Sequence, residues 1–103
     1  MKHLDVIPEL WEVLRDRLAH PREGSYVNRL ARGEKGIDGI LEKVGEEAAE
    51  FIIAVKNGER RDIVWEAADL EFHLLLALAA AGVDLEEVLS ELEKRRHPEK
   101  GKV

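Results

Sequence analysis

Two short acidic patterns carry most of the chemistry available to this chain of 103 residues. The first is Gly45-Glu46-Glu47-Ala48-Ala49-Glu50 and the second is Glu66-Ala67-Ala68-Asp69. Helical side chains three or four positions apart share a face, so Glu47 projects with Glu50, and Glu66 with Asp69. Two carboxylates about 6 Å apart repel by roughly 2–3 kcal/mol at an effective dielectric of about 20. Four of them in one crevice either take up protons or recruit a cation. A hard divalent ion with oxygen ligands is the natural match. Mg2+ fits best where phosphate oxygens complete its shell, with Mn2+ as a substitute. On spacing alone, a solvated acidic helix face explains the same residues equally well.

The elements that must position these acids are helical. A first helix is predicted over about Leu4 to Ala19, with Leu4, Ile7, Leu10, Trp11, Leu14 and Leu18 at helical spacing and Pro8 in its first turns. The breaker segment His20-Pro21-Arg22-Glu23-Gly24-Ser25 follows, then a short helix over about Tyr26 to Arg32 and a glycine-marked loop. The third helix is predicted from about Ile37 to Asn57, closed by Gly58, and the fourth from about Arg60 to Ala81, closed by Gly82. The fifth opens at Asp84, with Glu87 completing a capping box, and ends near Arg96. No strand candidate survives. The short loop between the third and fourth helices predicts an antiparallel hairpin. The expected fold is an all-α antiparallel bundle built on that hairpin, one domain over residues 1–96, with a polar tail over 97–103.

Helical geometry of about 100° per residue sorts the acids. On the third helix Ile40, Leu41, Val44, Ala48, Phe51, Ile52 and Val55 form one apolar stripe. Glu47 lies about 80° from its centre and Glu46 nearly opposite, so Glu47 is the one expected in a helix–helix crevice, with Glu50 able to reach it. On the fourth helix Asp62, Glu66, Asp69 and His73 fall within about 60° of one another, on a helix otherwise apolar from Leu70 onward. Ile53 sits off the main stripe, and Leu70 to Ala81 is apolar nearly all round. Both suggest burial on two sides and therefore a dimer whose helices pair across subunits, with the acids near the interface. Trp11 and Trp65 are read as packing residues.

Composition narrows the class. Charged residues reach 37%, aromatics only 5% and apolar residues 45%, a mix that favours helix and has too much aliphatic content for disorder. The net charge of −6 argues against nucleic acid as a partner, because phosphate-binding surfaces are usually basic. It leaves room for a small polyphosphate, since a metal reverses the local field. With no cysteine, thiolate metal sites and disulfides are excluded. The N-terminus lacks a signal-peptide apolar block, and the longest apolar run, Leu74 to Val83, is about half of a membrane span. The expectation is a cytoplasmic protein with no membrane partner.

The stretch Glu42-Lys43-Val44-Gly45-Glu46-Glu47-Ala48-Ala49-Glu50, then Ala54 to Gly58, then Trp65-Glu66-Ala67-Ala68-Asp69-Leu70 and Phe72-His73-Leu74-Leu75 resembles phosphoribosyl-ATP pyrophosphohydrolases. That family lies within the MazG-like all-α nucleoside-triphosphate pyrophosphatases. The likeness covers about Leu4 to Arg96, and Ser25-Tyr26 matches a Ser-Tyr element of the family. The resemblance implies hydrolysis of phosphoribosyl-ATP to phosphoribosyl-AMP and pyrophosphate in histidine biosynthesis, dependence on Mg2+, and a homodimer. It places the metal on Glu47, Glu50, Glu66 and Asp69. The family also occurs fused to a cyclohydrolase, and this chain is expected to be the stand-alone form. Four departures are local: Val27 for a usual threonine, Gly39 for a frequent basic residue, Glu71 for an apolar one, and a slightly extended Arg32 to Lys35.

Catalysis is expected to use Glu46 or Glu47 as a base. Lys43, Lys56, Ser25, Tyr26 and His73 are candidate substrate contacts, each with a bland alternative. Lys56 also suits the helix dipole, His73 a satisfied core histidine, and Ser25 and Tyr26 a simple turn. Two other functions fit the residues: a MazG-type enzyme that clears noncanonical nucleoside triphosphates, and a non-enzymatic helical dimerisation module.

Overall fold

A computed structural model describes residues 1–97 and residue 99. Among these the chain forms five helices: α1 (Val6–Ala19), α2 (Tyr26–Ala31), α3 (Ile37–Asn57), α4 (Arg60–Ala80) and α5 (Leu85–Arg95). The expected all-α order is present, and no strand occurs among the described residues. Of the tail expected over 97–103, only His97 and Glu99 are described, both exposed.

Local chemistry sets the boundaries. α1 begins two residues later than its periodicity suggests, because Leu4 and Asp5 form a turn and Asp5 occupies the N-cap. Pro8 then falls at the third helical position, where no intrahelical donor is lost. Ser25 caps α2 by accepting a hydrogen bond from the Asn28 amide at 3.4 Å. Gly58 ends α3 in the left-handed region, at φ 77°, so the chain reverses at once into α4. After α4, the Val83 amide reaches back to the Leu78 carbonyl at 3.1 Å around Gly82. Asp84 and Glu87 form the expected capping box on α5.

α3 and α4, of 21 residues each, pack along their lengths as the hairpin. α1 lies against α4, and α2 bridges α1 and α3. The core is Trp11, Leu14, Val27, Ile40, Leu75, Leu76 and Leu85, gathered at the α1–α2 end of the bundle. Val27 belongs to this core, which accounts for an apolar residue there, while Glu71 is exposed. Asn28 is a buried polar clasp: its Nδ2 donates to the Arg17 carbonyl at 2.6 Å and its Oδ1 accepts from the Arg22 amide at 2.7 Å. It ties the end of α1 to α2 and so fixes where Ser25 and Tyr26 sit.

Two expectations about packing change. The buried face of α3 centres on Ile40, Glu47 and Ala54, about 80° round from the centre of the apolar stripe. Leu41, Ile52 and Val55 therefore stand about half exposed on a single chain. Trp11 packs inside as expected, whereas Trp65 is 70% exposed. No helix among the described residues is long and apolar enough to cross a membrane.

Candidate metal and pyrophosphohydrolase site

The rotation of α3 brings Glu47 into the α3–α4 crevice, where it is 2% exposed, while Glu46 stays outside. Around Glu47 two groups converge. Ligand atoms of Glu47, Glu50 and Glu66 lie within 4.8 Å of one another, and so do those of Glu47, Asp69 and His73. Glu47 belongs to both. The small residues Ala48 and Ala67, half-buried in the crevice, leave room for the helices to approach.

The electrostatics are unresolved within the chain itself. Glu47 Oε2 and Glu66 Oε2 are buried with no hydrogen-bond partner among the described residues. Burial opposes ionisation of Glu47, but Lys43, with Nζ 3.1 Å from Glu47 Oε1, together with Asp69 and Glu50 outweighs it and holds that carboxyl below its usual range. Burial and the facing Glu47 push Asp69 upward, against the pull of His73 and Lys43. Glu66 is raised to about 7 by loss of hydration and by the neighbouring carboxylates of Glu50 and Glu47. A pair of ionised carboxylates about 5 Å apart costs roughly 3 kcal/mol at an effective dielectric of about 20, so the crevice holds either a proton or a cation. Two orphaned carboxylate oxygens and an all-oxygen donor set fit a hard divalent ion.

His73 is not free to be a ligand. It is 2% exposed, its Nδ1 is 2.8 Å from the Asp69 carbonyl oxygen, and its Nε2 is 2.7 Å from the Tyr26 hydroxyl. Both ring nitrogens are occupied, so the oxygen set of Glu47, Glu50, Glu66 and Asp69 remains for a metal. Burial raises the Tyr26 hydroxyl above its ordinary range, Lys43 lowers it, and Asp69 and Glu47 raise it. Tyr26 thus borders the crevice, and its ring carries the Arg29 guanidinium 5.7 Å above its centroid.

The structure does not bring every candidate to this place. Ser25 Oγ is spent on capping α2. Lys56 is exposed in the last turn of α3, about 13 Å of helix rise from Glu47. Glu46 meets Lys43 at 3.6 Å, on the outer side of the crevice, and lines a cavity of about 340 Å³ with Lys43, Arg29 and Lys35. Sequence reasoning passed over Arg29 and Lys35. Asn57, read from the sequence only as a helix-end residue, and Asp62, not among the candidate site residues, line a cavity of about 200 Å³ with Glu50 and Glu66. Asp62 was already marked by its place in the polar strip of α4. Nothing local marked the two basic residues.

A sequence model of the family described as phosphoribosyl-ATP pyrophosphohydrolase matches residues 7–96. The chain belongs to that family. It is 65% identical over 91 residues to a phosphoribosyl-ATP pyrophosphatase of Methanosphaerula palustris, covering 88% of this chain and 92% of the relative. It is 58% identical over 93 residues to that of Methanoregula boonei, covering 90% and 89%. A histidine biosynthesis bifunctional protein of Thermoanaerobacter pseudethanolicus is 49% identical over 86 residues, which are 84% of this chain but 39% of that protein. The matched span takes in the five helices apart from Val6, and Glu47, Glu50, Glu66 and Asp69 of the α3–α4 crevice.

Proposed function

We propose that this chain hydrolyses phosphoribosyl-ATP to phosphoribosyl-AMP and pyrophosphate, in the cytoplasm and as a step of histidine biosynthesis, with Mg2+ held by Glu47, Glu50, Glu66 and Asp69. The observation that carries the reading is a pair of buried carboxylate oxygens, on Glu47 and Glu66, that lack a hydrogen-bond partner among the described residues, in a group whose ligand atoms lie within 4.8 Å of one another. A bound Mg2+ or Mn2+ supplies charge neutralisation on the polyphosphate and an acidified water.

The chain's own groups do the rest. Glu47 sits at the overlap of the two groups, where carboxylates of α3 and α4 come together. With Glu47 held by a cation, Lys43 would be free to meet phosphate, a role supported by its two-thirds buried side chain beside the crevice. Glu46 is the carboxylate that remains solvated and outside the cluster, which supports it over Glu47 as the base for water. Lys56 stays outside this proposal, where its charge favours the C-terminus of α3.

The working form is a homodimer. Supporting it, Ile52, Ile53 and Val55 on α3 and Val64, Trp65 and Leu74 on α4 are all close to half exposed or more on a single chain. An apolar surface of that extent is unusual for a monomer. Ile53 borders the cavity of Glu50 and Glu66, and Trp65 borders one with Asp69, so the interface would run beside the metal.

The test is pyrophosphate release from phosphoribosyl-ATP and from a panel of plain nucleoside triphosphates, each with and without Mg2+. Magnesium-dependent release with preference for phosphoribosyl-ATP is expected. Faster turnover of the plain triphosphates would assign the chain to house-cleaning chemistry instead.

A further inference from the structure

The acid crevice has a cationic neighbour, the cavity of about 340 Å³ enclosed by α2, the loop after it and the first half of α3. Arg29, Lys35 and Lys43 line it together with Glu42 and Glu46. Lys43 belongs to both places, since its Nζ is 3.1 Å from Glu47 Oε1 and 3.6 Å from Glu46 Oε2. Lys35 is spent on Glu42, at 2.9 Å. Arg29 is exposed, and no carboxylate pairs with it among the described residues. Its guanidinium is nevertheless held in place, 5.7 Å from the centre of the Tyr26 ring and donating through Nη1 to the Gly24 carbonyl at 3.3 Å. The other N–H groups of that fork meet no acceptor among the described residues. Gly39 leaves space beside these cations. It lies inside α3, where glycine weakens a helix relative to alanine. A Cβ there would meet Lys35 Cβ at 3.5 Å and Leu30 Cδ1 at 3.7 Å, which is ordinary contact, so crowding does not require the glycine.

We infer that this cavity is a second anion subsite, which takes the phosphate monoester on the phosphoribosyl arm of the substrate with Arg29 as its principal ligand. The inference rests on the proposed phosphoribosyl-ATP reaction for the identity of that phosphate. Such a substrate is anionic at two ends, the triphosphate and the monoester. A cation among the carboxylates of α3 and α4 compensates only the first. The second needs fixed positive charge, and a guanidinium offers a planar fork of donors that matches phosphate oxygens. Two other cavities beside the crevice, one bordered by Trp65 and Asp69 and one by Asp62 and Glu66, are lined by no cation. The Tyr26 ring and the Gly24 carbonyl hold the guanidinium before a ligand arrives, so less side-chain freedom is lost on binding. A plain nucleoside triphosphate has no monoester to place there. Arg29 thereby separates the two substrate classes.

Two readouts on the full chain test it. Ribose 5-phosphate titrated into the metal-free chain should shift the amide NMR signals of Leu30, Gly33 and Gly39, whereas ribose should leave them in place. Arg29→Gln should abolish the shifts, and Gly39→Met, which fills the cavity without touching a charge, should weaken them. No shift in the unaltered chain, or the same shifts in Arg29→Gln, would overturn the inference. In kinetics, Arg29→Gln should lower kcat/KM for phosphoribosyl-ATP about 10- to 100-fold, the loss of a charged hydrogen bond. Inhibition by ATP, which carries the triphosphate and no phosphoribosyl arm, should stay within about twofold of the unaltered chain on the same reasoning. Arg29→Lys, which keeps the charge and loses the fork, should recover part of the rate. An equal loss of ATP inhibition would place the triphosphate at Arg29, and no change in either would take substrate out of the cavity. Each of those results overturns the inference. If the unaltered chain releases no pyrophosphate from phosphoribosyl-ATP, the proposed reaction fails, while Arg29-dependent shifts with ribose 5-phosphate would still establish the phosphomonoester subsite.

Discussion

Replacing Glu66 by glutamine should abolish most of the proton release that accompanies metal binding. The Glu66 carboxyl is raised to about 7 by lost hydration and by Glu50 and Glu47, so it is partly protonated at neutral pH in the metal-free chain. A cation must displace that proton before the carboxylate can ligate. From a pKa of about 7, Glu66 gives up about 0.9 of a proton per ion at pH 6, about 0.5 at pH 7 and about 0.1 at pH 8. The same competition makes apparent Mg2+ affinity about tenfold weaker at pH 6 than at pH 8. Titration calorimetry in buffers of different ionisation enthalpy reads the proton count directly. Glu66→Gln should flatten both trends, leaving only the smaller release from Asp69, whose carboxyl is also raised. Stability supplies a control of opposite sense. The folded metal-free chain binds more protons at Glu66 than the unfolded chain between pH 4.5 and about 7. This group's contribution to stability therefore falls as pH rises through that window, and saturating Mg2+ removes the trend. If the unaltered chain binds Mg2+ with no proton release and equal affinity at both pH values, the crowding of carboxylates is not real.

Other outcomes follow from named contacts. Glu47→Gln should lower the rate of pyrophosphate release by more than the roughly 100-fold typical of outer-shell partners, and should remove stabilisation by Mg2+ in thermal melts. Retention of both would return the acids to a solvated face. Asn28→Ala orphans the Arg17 carbonyl and the Arg22 amide and should cost about 1–3 kcal/mol. Chemical denaturation measures it, and a change under about 0.5 kcal/mol would mean the clasp is incidental. Trp65→Glu should convert a dimer to monomer in light scattering, because it puts a charge on the exposed α3–α4 face. An unchanged mass would place the interface elsewhere.

Much of this site was legible in the sequence because helical periodicity is local. It predicted the bounds of α3 without error, the inward Glu47, the outward Glu46, and the strip of Asp62, Glu66, Asp69 and His73. Periodicity names a face but not its partner. The stripe of α3 looked like one core-facing surface, yet Leu41, Ile52 and Val55 are left outside by a single chain. Trp65 was read as packed for the same reason. The Tyr26–His73 bond joins residues 47 positions apart, and the Asn28 clasp closes a loop between two helices, so neither left a pattern in the sequence. Arg29 and Lys35 line the outer cavity through the path of the α2–α3 loop, which spacing rules do not describe.

Anomalous diffraction from a crystal of this chain soaked in Mn2+ tests the metal centre most directly. The expected result is a manganese peak in the α3–α4 crevice, with oxygens of Glu47, Glu50, Glu66 and Asp69 at bonding distance and His73 still held between Tyr26 and Asp69. An occupied site elsewhere, or those four side chains turned apart around an empty crevice, would contradict it.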